Sequence, residues 1–307
     1  MATMQQIIEL VGQLKTDTGT FNQELHNILV DKDLTSSVAN YTTKSLFDDL
    51  RKAGLYPIKD GILFRLFNHD SNDIKIYELN PNTLHIINSA EIVGEYLTGI
   101  GGGWDGDMLR IYSCDGNAAK LHRINPDTLK PIKTVSSAGT YPYGIGGGWD
   151  GNKLRLYHCD VTADEAYELN PDTLSIIKTV DGMSTAPADI GGGYDGVKLR
   201  LFHTDGAVEK IYELDPETLT EIKSVPAFGV HPYGIGGGWN GDILRIYHSD
   251  NSNGKIYELN PDTLSAISTV DMPGNSATGI GGGYEYWKYI NYKHDMYFLP
   301  KSVMPIE

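Results

Sequence analysis

The 45-residue spacing of a glycine-rich stretch constrains this chain more than any other feature of its sequence. The stretch from Gly144 to Gly151 recurs without insertion or deletion at Gly99 to Gly106, Asp189 to Gly196, Gly234 to Gly241 and Gly279 to Tyr284. A fixed period of this size is typical of repeat proteins, in which one unit cannot bury its apolar face alone. We assign the repeats to residues 57–287.

Each repeat predicts four short strands, named A to D in chain order. Strand A is the glycine stretch, and its last residues, such as Asp150-Gly151, predict a two-residue hairpin. Strand B follows at once, as in Leu154 to Tyr157. Strand C, as in Lys255 to Leu259, stops at an Asx-Pro pair that cannot continue a ladder. Strand D is short, as in Ile176 to Val180.

Four antiparallel strands repeated about every 45 residues are typical of a β-propeller blade, so the fold class is all-β with five blades. The first repeat lacks its own glycine stretch, and the last stretch, Gly279 to Tyr284, has no strand B after it. The C-terminal strand is therefore predicted to pair beside Ile62 to Phe67 and to close the ring, which removes two exposed sheet edges.

Residues 1–56 differ from the repeats and predict an α-helical segment. Apolar residues from Ile7 to Ile28 alternate in spacings of four and three, as in a coiled-coil seam. This segment either oligomerises, with a homotrimer as one option, or packs as a helical hairpin on the propeller. Pro57 marks its end, and residues 288–307 are predicted to form a C-terminal tail.

The net charge of −15 argues against nucleic acid or an anionic membrane surface as a partner. No apolar run approaches the ~20 residues of a membrane span, and the N-terminus lacks the pattern of a signal peptide. We therefore expect a protein made in the cytoplasm without membrane insertion. Cys114 and Cys159 occupy the same repeat position, which favours free thiols over a disulfide.

Most repeated polar residues are predicted to be structural, because a residue needed once for catalysis would not appear in every repeat. Arginines in strand B and glutamates in strand C predict a girdle of ion pairs, with Arg123 replacing the glutamate of the second repeat. The arginines are Arg65, Arg110, Arg155, Arg200 and Arg245, and the glutamates are Glu78, Glu168, Glu213 and Glu258. Aspartates that end strand B are predicted to accept backbone N–H groups, with calcium binding as the alternative.

Three histidines, His158, His203 and His248, share one repeat position and are candidate ligand-binding residues. They would hold a transition metal if they converged on the axis. They stand on three consecutive repeats, however, and we find no unique carboxylate placed to serve as a base. The prediction is therefore no metal, no other cofactor and no catalytic residue. The aromatic residue that ends each strand A, such as Trp149, is predicted to fill the wedge between blades.

The loops before strand A and after strand B vary between repeats, whereas the other turns hardly change. In a propeller these two loop classes share one face, and variable loops on a rigid scaffold are where binding usually resides. The predicted ligand-binding residues on this face are Tyr96, Tyr141, Tyr143, His231 and Tyr233.

Two families resemble the repeat. The run Pro142 to Ile145, then Trp149 to Gly151, then Tyr167 to Leu174, resembles the repeats of YVTN-type and lactonase-like propellers. The five-fold count and the Gly-Gly-Trp triplet are loosely similar to tachylectin-type lectins, which bind amino sugars between blades. These resemblances imply the propeller fold and leave enzymes, binders and surface modules open.

The first functional prediction is a non-enzymatic binding protein that recognises a cell-surface glycan or protein through its loop face. A helical leader joined to a propeller resembles a receptor-binding or tail-fibre component of a phage or phage-tail-like particle. That resemblance implies contacts of residues 1–56 with other particle proteins and a location in a virion or a phage-tail-like particle. The alternatives are a lactonase- or glycosidase-like enzyme that works in the axial pocket and a structural scaffold.

Overall fold

The structure is a computed structural model that describes residues 62–92, 94, 96–182, 186–272, 276–292 and 295–300. The predicted helical segment at residues 1–56 lies outside the described residues. Within them, the regular elements are 21 β-strands.

The strands follow the 45-residue period in length and position. The first eleven strands are β1 (Ile62–Asp70), β2 (Lys75–Leu79), β3 (Ile86–Glu91), β4 (Leu97–Trp104), β5 (Leu109–Asp115), β6 (Lys120–Ile124), β7 (Pro131–Ser136), β8 (Pro142–Trp149), β9 (Leu154–Asp160), β10 (Glu165–Leu169) and β11 (Ile176–Asp181). The remaining strands are β12 (Pro187–Tyr194), β13 (Leu199–Asp205), β14 (Lys210–Leu214), β15 (Glu221–Pro226), β16 (Pro232–Trp239), β17 (Leu244–Asp250), β18 (Lys255–Leu259), β19 (Ala266–Asp271), β20 (Ala277–Tyr292) and β21 (Asp295–Pro300).

These strands form five antiparallel sheets, which are the blades of a propeller. Blades 2 to 5 are β4–β7, β8–β11, β12–β15 and β16–β19, and each follows chain order from the axis outward. Blade 1 has the order β20-β1-β2-β3, so its inner strand comes from the far end of the chain. The prediction of an all-β, five-bladed propeller with four-stranded blades is confirmed.

The ring closes where β20 pairs with β1. Gly283 lies opposite Arg65 and Gly281 opposite Phe67, the same register that Gly148 and Arg155 adopt in blade 3. This is the pairing that the sequence predicts. β20 then continues past the blade, and its residues from Trp287 to Tyr292 pair with β21.

The hairpins between the first two strands of blades 2 to 5 turn one residue later than predicted. Asp105 N donates to Met108 O at 3.1 Å, which leaves Gly106 and Asp107 as the two central residues. Gly106 has a φ of +98°, a left-handed value that suits the first central position of a type II′ turn. The aspartate instead caps the turn, because its Oδ1 accepts the N–H groups of Asp107 and Met108 at 2.7 Å.

The apolar cores lie between neighbouring blades. One of five such clusters joins Phe67 and Ile76 of blade 1 to Ile100, Ile111 and Ile124 of blade 2, all 1 % exposed or less. A single blade therefore leaves half of its core open, and burial of apolar area at roughly 25 cal/mol per Å² favours the complete ring.

The strand-A backbones pack directly against one another around the axis. A methyl group added at Gly146 would lie 2.7 Å from the Ile190 carbonyl oxygen and 2.9 Å from Gly191 Cα. The same contact repeats around the whole ring, so that Gly281 of blade 1 meets Gly101 of blade 2. Glycine is required here because no Cβ fits between the adjacent strands. The prediction that strand A lies innermost is confirmed.

The predicted arginine girdle is present, and it also joins the blades. Arg200 donates to Glu213 of its own blade at 2.7 Å and to Asp262 of the next blade at 2.6 Å. Arg245 donates to Asn82 of blade 1 at 2.8 Å, which completes the circle across the chain ends. In blade 2, where Arg123 replaces the glutamate, Arg110 pairs with Asp105 instead.

We expect Gly146→Ala to destabilise the protein by about 3 kcal/mol, because the new methyl group must push two strands apart. Gly206→Ala is the matched control, since the nearest atoms to its added methyl group lie at 3.9 Å. Urea unfolding of both variants measures the difference. Equal stability of the two variants would contradict backbone-to-backbone packing at the axis.

Candidate functional site

The loops that precede strand A and the turns that follow strand B lie on the same end of the propeller, which we call the loop face. Val161 N, in the turn after β9, donates to Tyr141 O in the loop before β8 at 3.3 Å. Asn251 N donates to His231 O in the equivalent place of blade 5 at 3.2 Å. The variable segments of each blade are thus hydrogen-bonded together, which confirms the prediction that the two loop classes share one face.

The aspartates that end strand B hold these loops in place. Asp160 Oδ1 accepts the N–H groups of Thr162 and Ala163 at 2.9 Å, and its Oδ2 accepts Tyr141 N at 2.7 Å. The predicted role as acceptor of turn N–H groups is confirmed, and a second bond to the preceding loop is added. Both carboxylate oxygens are therefore engaged by backbone donors. In the described residues no three His, Cys, Asp or Glu side chains are grouped so that they could hold a metal ion.

Five predicted ligand-binding residues are brought together on the loop face as one aromatic cluster. The cluster consists of Tyr96, Tyr141, Tyr143, His231 and Tyr233. The ring centroids of Tyr143 and Tyr233 are 5.6 Å apart, and His231 stacks on Tyr233 at 5.7 Å. Tyr141 lies 6.0 Å from Tyr143, at a tilt of 34°. Three blades thus contribute to a single aromatic surface.

The position of the cluster follows from a register shift at the start of each inner strand. Tyr143 and Tyr233 occupy the residue skipped by the pairing of β8 with β9 and of β16 with β17. They belong to blades 3 and 5, which are not neighbours, and the equivalent residue of blade 4 is the small, buried Ala188. The two rings can meet because alanine leaves room between them, so they lie close to the propeller axis.

The cluster combines buried and accessible surface. Tyr143 is 9 % exposed, whereas Tyr96, Tyr141 and Tyr233 are half-buried and His231 is exposed. Burial, followed by the neighbouring Tyr233, raises the pKa of Tyr143 well above its ordinary value. The phenol therefore stays neutral at physiological pH and presents an O–H group beside an aromatic face. This combination can stack on an apolar ring face and also form hydrogen bonds.

The other three predicted ligand-binding residues lie away from this surface. His158, His203 and His248 are at most 1 % exposed and sit inside their blades. In each, Nδ1 donates to the carbonyl oxygen of the adjacent inner strand at 2.8 Å, as His248 does to Gly234. Each ring also packs on a tyrosine of strand C, as His158 does on Tyr167. They do not converge on the axis, because a side chain bonded to its own blade cannot also reach the centre.

Burial lowers the pKa of each of these histidines from 6.5 to about 4, against the smaller opposing effect of the carbonyl hydrogen bond. His69, one residue further along its strand, shows the same shift. The neutral form is thus the one that the folded protein accommodates. Cys114 and Cys159 are buried free thiols, as predicted, and burial raises their pKa.

Among the described residues, the carboxylate of Asp189 lies on the axis beneath the aromatic cluster. It stands where the other repeats have the first glycine of the stretch, and it is fully buried. The sequence analysis did not single out this residue, and its carboxylate oxygens are bonded to backbone N–H groups. Burial raises the pKa of Asp189 well above its ordinary value, while the backbone N–H groups of Ile235, Ile190 and others act in the opposite direction. The signal was visible in the sequence as the one departure from glycine at a position fixed by packing.

The opposite mouth of the axis is closed by the aromatic residues that end strand A. Trp104 stacks on Tyr284 with centroids 5.6 Å apart, and Tyr194 meets Trp239 edge-on at 6.0 Å. Together with Trp149 they form one cluster over the glycine strands, with a void of only about 10 Å³. These rings pack against one another, because each inner strand ends at the axis. Trp149 and Trp239 also lie beside Gly106 and Gly196 of the preceding blades, as expected of residues that fill the wedges between blades.

A larger cleft, of about 280 Å³, lies between blades 3 and 4 and is lined by the girdle residues Arg155, Arg200 and Glu213, and by Glu217, which pairs with Arg155. Its charges already pair with one another, as in the 2.7 Å contact of Arg200 with Glu213. A ligand that used either side chain would have to break these ion pairs. The aromatic cluster is consequently the better candidate site.

Comparison with known proteins does not indicate a function for this chain. No family model matches the chain, and no curated protein sequence matches it. The solved structures similar to it include a protein of unknown function from Bacteroides caccae, with 13 % identity over 68 % of this chain and 73 % of that one and a TM-score of 0.42.

Two further solved structures are similar over about the same share of the chain. The nidogen/laminin complex shows 16 % identity over 72 % of this chain and 85 % of that one, with a TM-score of 0.45. Streptogramin B lyase shows 18 % identity over 71 % of this chain and 67 % of that one, with a TM-score of 0.42. Likeness at this level carries no argument about activity or ligand. In the part of the chain that the structure describes, no helix has the length and hydropathy that a bilayer crossing requires.

The buried histidines predict acid sensitivity. A pKa of about 4 in the folded state, against about 6.5 when unfolded, gives stability that is complete above pH 6.5 and is lost as the pH falls toward 4. We expect His248→Asn to reduce the loss in unfolding free energy between pH 7.5 and pH 5 by about 2 kcal/mol. Asparagine suits this place, because Asn68 donates to the Gly279 carbonyl oxygen from the same position of blade 1 at 2.6 Å.

Urea unfolding at the two pH values measures this effect, and His231→Asn on the loop face is the control, because His231 is exposed. An unchanged pH dependence in His248→Asn would show that the buried histidines are not the acid-sensitive groups.

Proposed function

We propose that this protein is a non-enzymatic binding protein that recognises a cell-surface glycan through the aromatic cluster of its loop face. The observation that carries the proposal is the meeting of Tyr143 and Tyr233, with His231 and Tyr141, at the axial end of blades 3 and 5. Aromatic faces with accessible O–H and N–H groups are suited to sugar rings, which present C–H faces and hydroxyl edges.

Rigidity supports the proposal. The loops that carry Tyr141 and His231 are held by Asp160 and Asp250, whose carboxylates accept the N–H groups of these two residues at 2.7 and 3.1 Å. A surface ordered before the ligand arrives loses less conformational entropy on binding. The cluster therefore has the pre-organisation that a recognition site needs.

Charge narrows the ligand class. The chain carries a net charge of −15, which disfavours sialylated or sulfated glycans and favours neutral or amino sugars. A protein ligand is the alternative occupant of the same surface. The alternative function, a lactonase- or glycosidase-like enzyme with its active site on the axis, has less support. In the described residues the axis holds one fully buried carboxylate and a void of about 10 Å³.

A glycan array with the full chain tests the proposal. We expect Tyr141→Ala and His231→Ala to weaken binding of neutral or amino sugars about tenfold or more. Tyr141→Phe should retain most of the affinity, because its ring still stacks on the sugar without the hydroxyl group. Tyr194→Ala, a partly exposed tyrosine at the opposite mouth, is the matched control and should bind as the wild type does. Thermal unfolding confirms that each variant is folded.

Absence of glycan binding, or equal binding by all four variants, would contradict a glycan site on the loop face. Loss of affinity in Tyr194→Ala alone would move the site to the other mouth of the axis.

We propose further that residues 1–56 attach the propeller to a phage or phage-tail-like particle as part of a receptor-binding or tail-fibre assembly. The support is the heptad-like spacing between Ile7 and Ile28. Light scattering of the full chain is expected to give the mass of a trimer, and a monomer would contradict the assembly.

A further inference from the structure

We propose that the axis of this propeller contains an anion-binding site built from backbone N–H groups, and that Asp189 fills the site as an internal ligand. The proposal is independent of what the loop face binds. It concerns the centre of the ring, between the aromatic cluster and the glycine strands.

The contacts of Asp189 reach across the axis. Its Oδ1 accepts the N–H group of Ile190 in its own blade at 2.9 Å, and its Oδ2 accepts that of Ile235 in blade 5 at 2.9 Å. The N–H groups of Ile145 in blade 3 and Ile280 in blade 1 also face the carboxylate. One side chain can meet donors from four blades only at the centre of the ring.

The donors converge because the inner strands repeat the same geometry. A methyl group added at Gly99, Gly234 or Gly279 would lie 2.8 Å from the N atom of the isoleucine in the next blade. Each isoleucine N–H is therefore uncovered beside a residue that lacks a side chain. Several N–H groups that point into one buried space form a nest with positive potential, and such nests bind small anions.

The site has room for one anion. Four repeats have glycine at this position, and only the fourth blade supplies a side chain. Five carboxylates would repel one another at the axis, whereas none would leave the buried donors without an acceptor. A single aspartate satisfies both requirements. Burial raises the pKa of Asp189, but the N–H groups of four blades act in the opposite direction and favour its ionised, acceptor-only form.

Asp189→Gly restores the residue of the other repeats and should convert the site into one that takes an external anion. Formate is the matching probe, because it is the carboxylate group of aspartate without its chain. In a buffer with gluconate as the only anion, we expect Asp189→Gly to lower the thermal midpoint by roughly 5–15 °C, since buried N–H groups lose their acceptor. Replacing gluconate with 100 mM formate should recover at least about 3 °C of this loss.

The wild type in the same two buffers is the control for general salt effects and should show no difference between them. Formamide, which is neutral and similar in size, should not rescue Asp189→Gly. Asp189→Asn keeps one carbonyl oxygen and the shape of the side chain. We expect it to be less stable than the wild type and insensitive to formate, because the amide occupies the space.

Three outcomes would overturn the proposal: Asp189→Gly as stable as the wild type in gluconate, equal midpoints of that variant in formate and gluconate, or rescue by formamide as strong as by formate. Folding of Asp189→Gly only when formate is present would support it. If Asp189→Gly fails to fold under all conditions, Asp189→Asn tests the proposal instead. A thermal midpoint of Asp189→Asn equal to that of the wild type would show that a neutral side chain suffices and would overturn the proposal. A lowered midpoint would support an anion at this site.

Discussion

The direct packing of five glycine strands around one axis is the constraint on which the rest of the structure depends. Adjacent strands approach until a methyl group at Gly101 would lie 2.9 Å from Gly146 Cα, and the contact repeats until Gly281 returns to Gly101. This spacing sets the radius of the ring. The blades then meet along apolar clusters, and each girdle arginine bonds to a turn of the next blade, as Arg200 does to Asp262.

The narrow axis also explains why the two ends of the propeller differ. At one end the strands finish in aromatic residues, and five rings of nearly equal position close the opening. At the other end the residues before the glycines vary, so that Tyr143 and Tyr233 meet across the small Ala188. The two ends of the axis therefore differ. Equivalent residues of all blades close one end, whereas residues that vary between blades form the other end and carry the candidate site.

The sequence predicted the strands, their order and the ring closure, because each depends on local patterns. Asn-Pro pairs end a strand wherever they occur, and glycine at a fixed period marks a close approach of backbones. Five members of the candidate site were also named from the sequence, since Tyr96, Tyr141, Tyr143, His231 and Tyr233 stand in loops that break the repeat. The sequence did not show that His158, His203 and His248 bond inside their own blades, because a shared repeat position does not reveal which way a side chain points.

By itself the sequence determined a closed, five-bladed ring with one variable face, because it holds five copies of a 45-residue repeat and its last glycine stretch completes the first copy. Only the tertiary structure decided that the loop tyrosines of blades 3 and 5 meet, that the histidines are buried against carbonyl groups, and that Asp189 receives N–H groups from several blades. The contact of Tyr143 with Tyr233 and that of Asp189 with Ile235 join residues of different blades across the axis. Their geometry depends on the radius of the ring, which packing sets and which no local pattern records.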